Sequence, residues 1–257
     1  MILRRVIKHV RGQEWTAVFL DFIIVVAGIL IAFQITNWSE GQGDAAREQE
    51  TLIAILEDLR ADRDTLKSGV DIAQVNINAS NYALAKAGFD PVDRLGLPIA
   101  NQNLIGGTEI KIPAPQAIPE AQKSQLWKLI TIHYYPLHSD AAWSSLLAAG
   151  NLNIIKNKDL VRDLQKYDLL WASLESSNDN TYRSLRDQTV FVGQEFGLSP
   201  FSHNPEEYLI TDLQENPKLV GATRTLLEFT VLYHRQIETV EAAAATLIEQ
   251  IEGEIKP

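Results

Sequence analysis

Apolar residues form one long run near the start of the chain and regularly spaced stripes after it. The run extends from Trp15 to Trp38 and has its most apolar part between Phe22 and Phe33. At about 1.5 Å per residue, a helix from Ala17 to Trp38 is about 33 Å long, enough to cross a hydrocarbon layer of about 30 Å. The flanking tryptophans match the two headgroup levels of a bilayer. The pattern predicts a transmembrane helix over residues 15–38.

A buried globular helix and a cleavable signal peptide are the alternatives for this run. Residues 34–44 contain no clear small-x-small cleavage site, so we expect an uncleaved anchor. Basic residues precede the run and mostly acidic residues follow it: Arg4, Arg5, Lys8 and Arg11 on one side, and Glu40, Asp44, Glu48 and Glu50 on the other. The positive-inside rule then predicts a cytoplasmic, basic amphipathic segment at 1–14 and a periplasmic domain at 39–257 of a bacterial inner-membrane protein.

Three residues within the run suggest contacts with a second membrane helix. Gly28 and Ala32 form a small-xxx-small pair that allows close helix approach, although small residues are also common on lipid-facing helices. Asp21 lies near the cytoplasmic boundary, where its carboxylate can reach either the headgroups or a partner helix. The lipid bilayer is thus one expected partner and a helix of another protein, or of a second copy of the chain, is another.

Helical spacing dominates the remaining sequence and predicts an all-α, antiparallel bundle. Gly41 and Gly43 are expected to loosen the exit from the membrane. Leu52 begins a heptad-like seam that Arg63 and Ser80 interrupt. The predicted helices are Asp44–Ala87, Glu120–Ile132, Ser139–Ala149 (ended by Gly150), Asp159–Phe196 and Lys218–Ile251, and the predicted irregular loops are 88–119 and 197–217.

The loop at 88–119 is rich in proline and glycine, and a small hairpin is predicted around Gly106 and Gly107. A loop of this length in a compact domain is either a plain connection or a functional surface. We therefore consider it a candidate contact surface.

The segments GILIAFQITNW (28–38) and AWSSLLAAGNLNIIKNKDLVRDLQKYD (142–168), with the acidic helix IAILEDL (53–59), resemble a large family of uncharacterised bacterial single-pass membrane proteins. In that family a nearly identical GILIALQINNWNE marks the anchor. The resemblance covers about a third of the chain. It implies a membrane-anchored helical domain and no assigned activity.

Catalytic and cofactor signatures are absent from the sequence. The chain has no cysteine, and a net charge of −10 argues against nucleic acid as a partner. His133 and His138 are separated by a break at Pro136, which is not a helix-face metal spacing. We expect no catalytic, cofactor-binding or metal site, and no enzyme activity.

Four aromatic residues lie close together in the sequence: Trp127, Tyr134, Tyr135 and Trp143. Core packing is the default expectation for them, and a small-molecule pocket or contact surface is the alternative. The expected function is a membrane-anchored periplasmic interaction or scaffolding module. The alternatives are an accessory subunit of a larger inner-membrane complex and a ligand-sensing helical bundle.

Overall fold

The computed structural model of the chain describes residues 15–97 and 107–255. The chain divides into two compact units, Met1–Thr51 and Leu52–Pro257. Helix α1, Trp15–Lys86, contributes residues to both units. The backbone stays helical through Gly41 and Gly43, so the expected loosening there is wrong. A glycine weakens a helix by only about 1 kcal/mol relative to alanine, which need not end one. The predicted segment 1–14 lies outside the described residues.

The second unit is mostly helical, as predicted, and is built on three long rods. The first is the part of α1 from residue 52 to Lys86, and the last is α8, Pro217–Glu254. They run antiparallel, because Arg60 pairs with Glu252 and Arg63 with Glu241 (2.6 and 2.8 Å). Arg63, which interrupts the predicted seam, therefore lies at the edge of this helix pair.

The second rod corresponds to the predicted helix 159–196. It consists of α5 (Lys158–Ser177), a π turn (Asn178–Tyr182) and α6 (Arg183–Gln194). A π turn adds one residue to a helical turn and so shifts the inward face by one position. Leu174, before the turn, is buried, whereas Leu185 and Val192, beyond it, are only half-buried, and Tyr182 and Gly193 are buried.

Short elements connect these rods: α2 (Glu120–Lys123), α3 (Leu126–Thr131), α4 (Ala141–Ala148), a 3₁₀ turn (Leu152–Ile154) and α7 (Glu206–Glu215). Gly150 ends the segment after α4 at φ 65°, the left-handed conformation expected at such an end. The prediction of an irregular loop over 197–217 is wrong, because α7 lies within it. Leu209 and Leu213, one turn apart, bury one face of α7 in the core.

A hairpin forms in the segment 88–119, with one strand on each side of the predicted glycine pair, of which Gly106 lies outside the described residues. Strand β1 (Arg94–Gly96) pairs antiparallel with β2 (Glu109–Lys111), with Leu95 opposite Ile110. Residues 98–106, between the two strands, lie outside the described residues. Ile110 joins a small second core formed with side chains of α1 and α8, including Ile77 and Leu227.

Candidate functional site

Large apolar side chains on the first unit's part of α1 are exposed on all sides of the helix. Consecutive residues such as 22–25 and 29–31 point in every direction around a helix. We name the whole set the apolar surface; its members are 47–67% exposed and comprise Phe19, Leu20, Phe22, Ile23, Ile24, Val25, Ile29, Leu30, Ile31, Phe33, Ile35 and Trp38. A helix that is apolar all round is normally covered, either by protein or by lipid.

Among the helices formed by the described residues, none combines the length and the apolarity that crossing a membrane requires. The side chains of Trp15 and Asp21, which the sequence assigns to the anchor and its polar contact, lie outside the described residues. Gly28 and Ala32 are both exposed. A side chain built on Gly28 would meet nothing within 4 Å, so this face of the helix is open to a close neighbour.

The four aromatic residues singled out in the sequence occupy two kinds of environment. Trp127 and Trp143 are 5% and 6% exposed and belong to the main core. Trp127 lies against α6 at Gly193, where any Cβ atom would fall 2.3 Å from the indole ring. Tyr134 and Tyr135 are half-buried. Burial and the neighbouring Glu175 carboxylate raise the pKa of Tyr135 to about 12.

Asparagines of α1 hold the irregular segment 88–119 against the bundle. Asn78 donates to the carbonyl of Gln116 and accepts from its N–H (3.3 and 2.7 Å), and Asn81 does the same with Val92 (2.9 Å each). Such two-way amide pairing satisfies backbone groups that have no ladder partner. From sequence alone, an asparagine within a helix indicates only a lowered helix propensity. The structure shows that they fasten the predicted contact segment to α1.

A buried carboxylate, Asp62, is the main polar feature inside the bundle. It is 0% exposed, and its two oxygens accept hydrogen bonds from the Ser139 N–H (2.6 Å) and the Tyr167 hydroxyl (2.7 Å). His138 Nε2 lies 3.6 Å from Asp62 Oδ2, and the His138 ring stacks on Trp171 at 4.5 Å. The segment after α3 is therefore joined to both α1 and α5 through one side chain.

Burial raises the pKa of Asp62, while the Ser139 N–H, the Tyr167 hydroxyl and His138 act in the opposite direction. Burial and the nearby Asp62 charge also raise the pKa of Tyr167. A carboxyl group without solvent exposure cannot reach a substrate in this conformation. We conclude that Asp62 fixes the path of the chain around Pro136.

Asp62 was not predicted as an important residue, although its position relative to the apolar residues of α1 indicates burial. It lies three residues after Leu59 and four before Leu66, so it occupies a position of the apolar seam. A charged residue at a buried position is expected only where it is paired with another group inside the core. Asp58, one turn earlier, accepts from the N–H of Ala142 (2.8 Å) and so caps α4 from another helix.

Metal-binding geometry is absent from the part of the chain that the structure describes: no three His, Asp or Glu side chains are grouped as a metal site requires. His133 instead packs against Tyr182, with ring centres 5.0 Å apart. Burial and nearby Arg186 lower the pKa of His133, which favours its neutral form.

No protein-family model matches the chain, and no curated protein and no solved structure shows significant similarity to it. The resemblance at residues 28–38 and 142–168 therefore stays a prediction. Function has to be inferred from the residues and their geometry.

Proposed function

We propose that the protein is a single-pass, membrane-anchored module whose helical bundle binds other proteins outside the bacterial inner membrane. The observation that carries the proposal is the apolar surface between Phe19 and Trp38. At about 25 cal/mol per Å², burying twelve large apolar side chains is worth far more than a folded domain's net stability, so water is an unsuitable environment for them. Residues 15–18 and Asp21, whose side chains lie outside the described residues, belong to the same predicted span.

Charge supports the orientation. The basic residues Arg4, Arg5, Lys8 and Arg11 precede the apolar surface, and the sequence after it is predominantly acidic. Under the positive-inside rule the bundle lies on the periplasmic side, consistent with the single-pass family that residues 28–38 resemble. The absence of cysteine suits an oxidising compartment without requiring one.

Binding, rather than catalysis, is the role that the bundle's chemistry favours. Its most buried ionisable group, Asp62, serves as a structural joint, as its hydrogen bonds indicate. Exposed aromatic residues are enriched at protein interfaces, and Phe201 and Tyr208 are 83% and 64% exposed. Together with the irregular segment 88–119, they are candidate contacts for a protein partner.

The lack of native cysteines allows a direct test of orientation, because each introduced thiol is the only one in the chain. Ser202→Cys lies in an exposed loop of the bundle, and Gln13→Cys lies before the apolar surface. We expect a membrane-impermeant maleimide to label Ser202→Cys in cells with a permeabilised outer membrane. Gln13→Cys should react only after the inner membrane is lysed.

Membrane association is tested on the same samples by extraction at alkaline pH, which removes peripheral proteins. The cysteine-free chain is the matched control for labelling. Labelling of both positions in unlysed cells, or release of the chain into the alkaline supernatant, would contradict the proposal. The reverse labelling pattern would retain the anchor but invert the sidedness.

Gly28 favours a second candidate function, that of an accessory subunit within a larger membrane complex. A side chain at this position would have nothing within 4 Å, and Ala32 lies one turn further on the same helix. A small-xxx-small face lets two helix backbones approach closely in lipid, where van der Waals packing stabilises association. The partner helix would belong to another subunit or to a second copy of the chain.

A further inference from the structure

The hydrogen bonds of the two-stranded hairpin show which backbone groups face each of its edges. The N–H of Ile112 donates to the carbonyl of Asp93 at 2.8 Å, so the backbone groups of Ile112 point towards β1. In an antiparallel pair, successive residues direct their backbone groups alternately towards the partner strand and away from it. The N–H and C=O groups of Glu109 and Lys111 therefore point away from β1, to the other edge of β2.

This outer edge of β2 has no backbone partner in the described part of the chain. Neither Glu109 nor Lys111 makes a backbone hydrogen bond there to another described residue, and both residues are exposed. The opposite edge of the hairpin differs, because Asn81 of α1 donates to and accepts from the backbone of Val92 (2.9 Å each). The hairpin thus has one edge fastened to α1, and we name the other, at Glu109 and Lys111, the free edge.

A cleft of about 190 Å³ adjoins the free edge. Consecutive residues of β2 and its continuation line the cleft, namely Ile110, Lys111, Ile112 and Pro113. Side chains alternate between the two faces of a strand, so a cleft that touches four residues in succession follows the edge of the strand. Its other walls come from α1 and α8 and include Ile77, Val231 and Arg235. The cleft is partly open to solvent, so an extended chain can enter it from one side.

Charge at the free edge indicates the chemistry of a partner. Arg94 of β1 lies directly opposite Lys111, and like charges in such a cross-strand pair repel each other. Arg94 is compensated by Asp93 at 3.2 Å, whereas Lys111 forms no ion pair with any described carboxylate. Arg235, on the far wall of the cleft, is already paired with Glu238 at 2.7 Å. An acidic residue beside Lys111 would therefore be favoured on an added strand.

We propose that the free edge binds an extended peptide segment of a partner protein, which adds a third strand and places an acidic residue beside Lys111. In strand addition, main-chain hydrogen bonds supply affinity and a few side chains supply specificity. Glu109 and Lys111 offer two N–H and two C=O groups, and Pro113, which has no N–H, limits the paired stretch. The inference rests on the proposed role in protein binding and adds the surface and the partner's conformation; it does not depend on the membrane anchor.

A phage library of random linear nonapeptides is a suitable probe, because the natural partner need not be known. The full-length chain is presented in detergent, and empty micelles serve for counter-selection. We expect enriched peptides to combine β-branched or aromatic residues with an aspartate or glutamate. An enriched peptide should bind at least about tenfold more tightly than a counterpart whose acidic residue is replaced by lysine. Amide hydrogen exchange at Lys111 should slow when the peptide is bound.

Three variants separate the backbone contribution from the charge. Lys111→Pro removes an N–H and a positive charge from the free edge and should weaken binding of the enriched peptide at least about tenfold. Arg94→Pro is the matched control: it also removes an outward N–H and a positive charge, but from the edge of β1, and should bind within about twofold of the wild type. Lys111→Glu retains the N–H and should reverse the preference, favouring the lysine counterpart over the acidic peptide.

Three results would overturn the inference. The first is a selection that enriches no peptide over empty micelles, or only peptides without an acidic residue. The second is equal binding of an enriched peptide to Lys111→Pro and to the wild type, which would move the contact to another surface and leave the proposed role in protein binding intact. The third is slow amide exchange at Lys111 that depends on chain concentration without peptide, because a second copy of the chain would then occupy the edge.

Discussion

The contact between α6 and Trp127 allows a sharp prediction about helix packing. Gly193 lies inside α6, where its lack of a side chain brings the helix backbone against the indole ring. A Cβ at this position would fall 2.3, 2.8 and 3.1 Å from three ring atoms. Ordinary carbon–carbon contacts are about 3.5–4.0 Å, so Gly193→Ala requires a displacement of more than about 1 Å. Trp127 is 5% exposed and has little room to yield.

The expected magnitude follows from two opposing contributions. Overpacking a core costs about 1–3 kcal/mol, whereas alanine gains about 1 kcal/mol over glycine as a helix former. We therefore expect Gly193→Ala to lower the free energy of unfolding by up to about 2 kcal/mol. Gly221→Ala, on an exposed part of α8 with nothing within 4 Å, should raise it by about 0.5–1 kcal/mol.

Gly69→Ala provides an intermediate case, since its Cβ would lie 2.9 Å from Pro136 Cγ and 3.3 Å from Ile237 Cδ1. Urea unfolding of the full-length variants in detergent, followed by circular dichroism, gives the three values under identical conditions. The predicted order of stability is Gly221→Ala, then Gly69→Ala, then Gly193→Ala. Equal stabilisation by Gly193→Ala and Gly221→Ala would refute the inferred close approach of α6 to Trp127.

Two further predictions concern Asp62 and the anchor helix. Burial raises the pKa of Asp62 above its ordinary value of 3.8, so the folded chain holds this proton to a higher pH than the unfolded chain does. Protonation of Asp62 therefore favours the folded state at low pH, and this contribution to the free energy of unfolding is lost as the pH rises through the pKa of the folded chain. The free energy of unfolding of Asp62→Asn minus that of the wild type, measured with urea, should therefore increase from acid to neutral pH. A difference that stays constant or falls would contradict a raised pKa of Asp62. In a membrane two-hybrid assay, Gly28→Ile combined with Ala32→Ile should weaken anchor association, whereas Ala27→Ile, which adds bulk on another face of the helix, should not. An unchanged signal in the double variant would exclude this helix face as the contact.

Asn78 and Asn81 of α1 show what the local conformational preference of a residue can and cannot predict. Asparagine lowers helix propensity locally, yet Asn78 and Asn81 both lie within helix α1. Their partners, Gln116 and Val92, lie 38 and 11 residues away. Propensity contains no information about such partners, because it describes only the backbone near each residue. The docking of segment 88–119 could not be predicted for this reason.

The candidate sites also differ in how far the sequence alone predicts them. The apolar surface could be predicted, since a long apolar run is evident in the sequence without knowledge of any partner residue. The stacking of Tyr182 on Tyr233 could not, because it depends on the π turn, which shifts the inward face of the second rod. The predicted aromatic set of Trp127, Tyr134, Tyr135 and Trp143 came from proximity in sequence, which does not determine which rings meet.

The sequence by itself determined the helical class, the exposed apolar run, the last long helix and the turn at Gly150, because each follows from periodicity or from backbone preferences within a few residues. Tertiary structure alone decided the role of Asp62, whose partner Tyr167 is 105 residues away. It also decided which earlier strand pairs with β2, and that residues 206–215 form a helix. In each case the stabilising contact joins distant parts of the chain, and only the folded backbone brings them together.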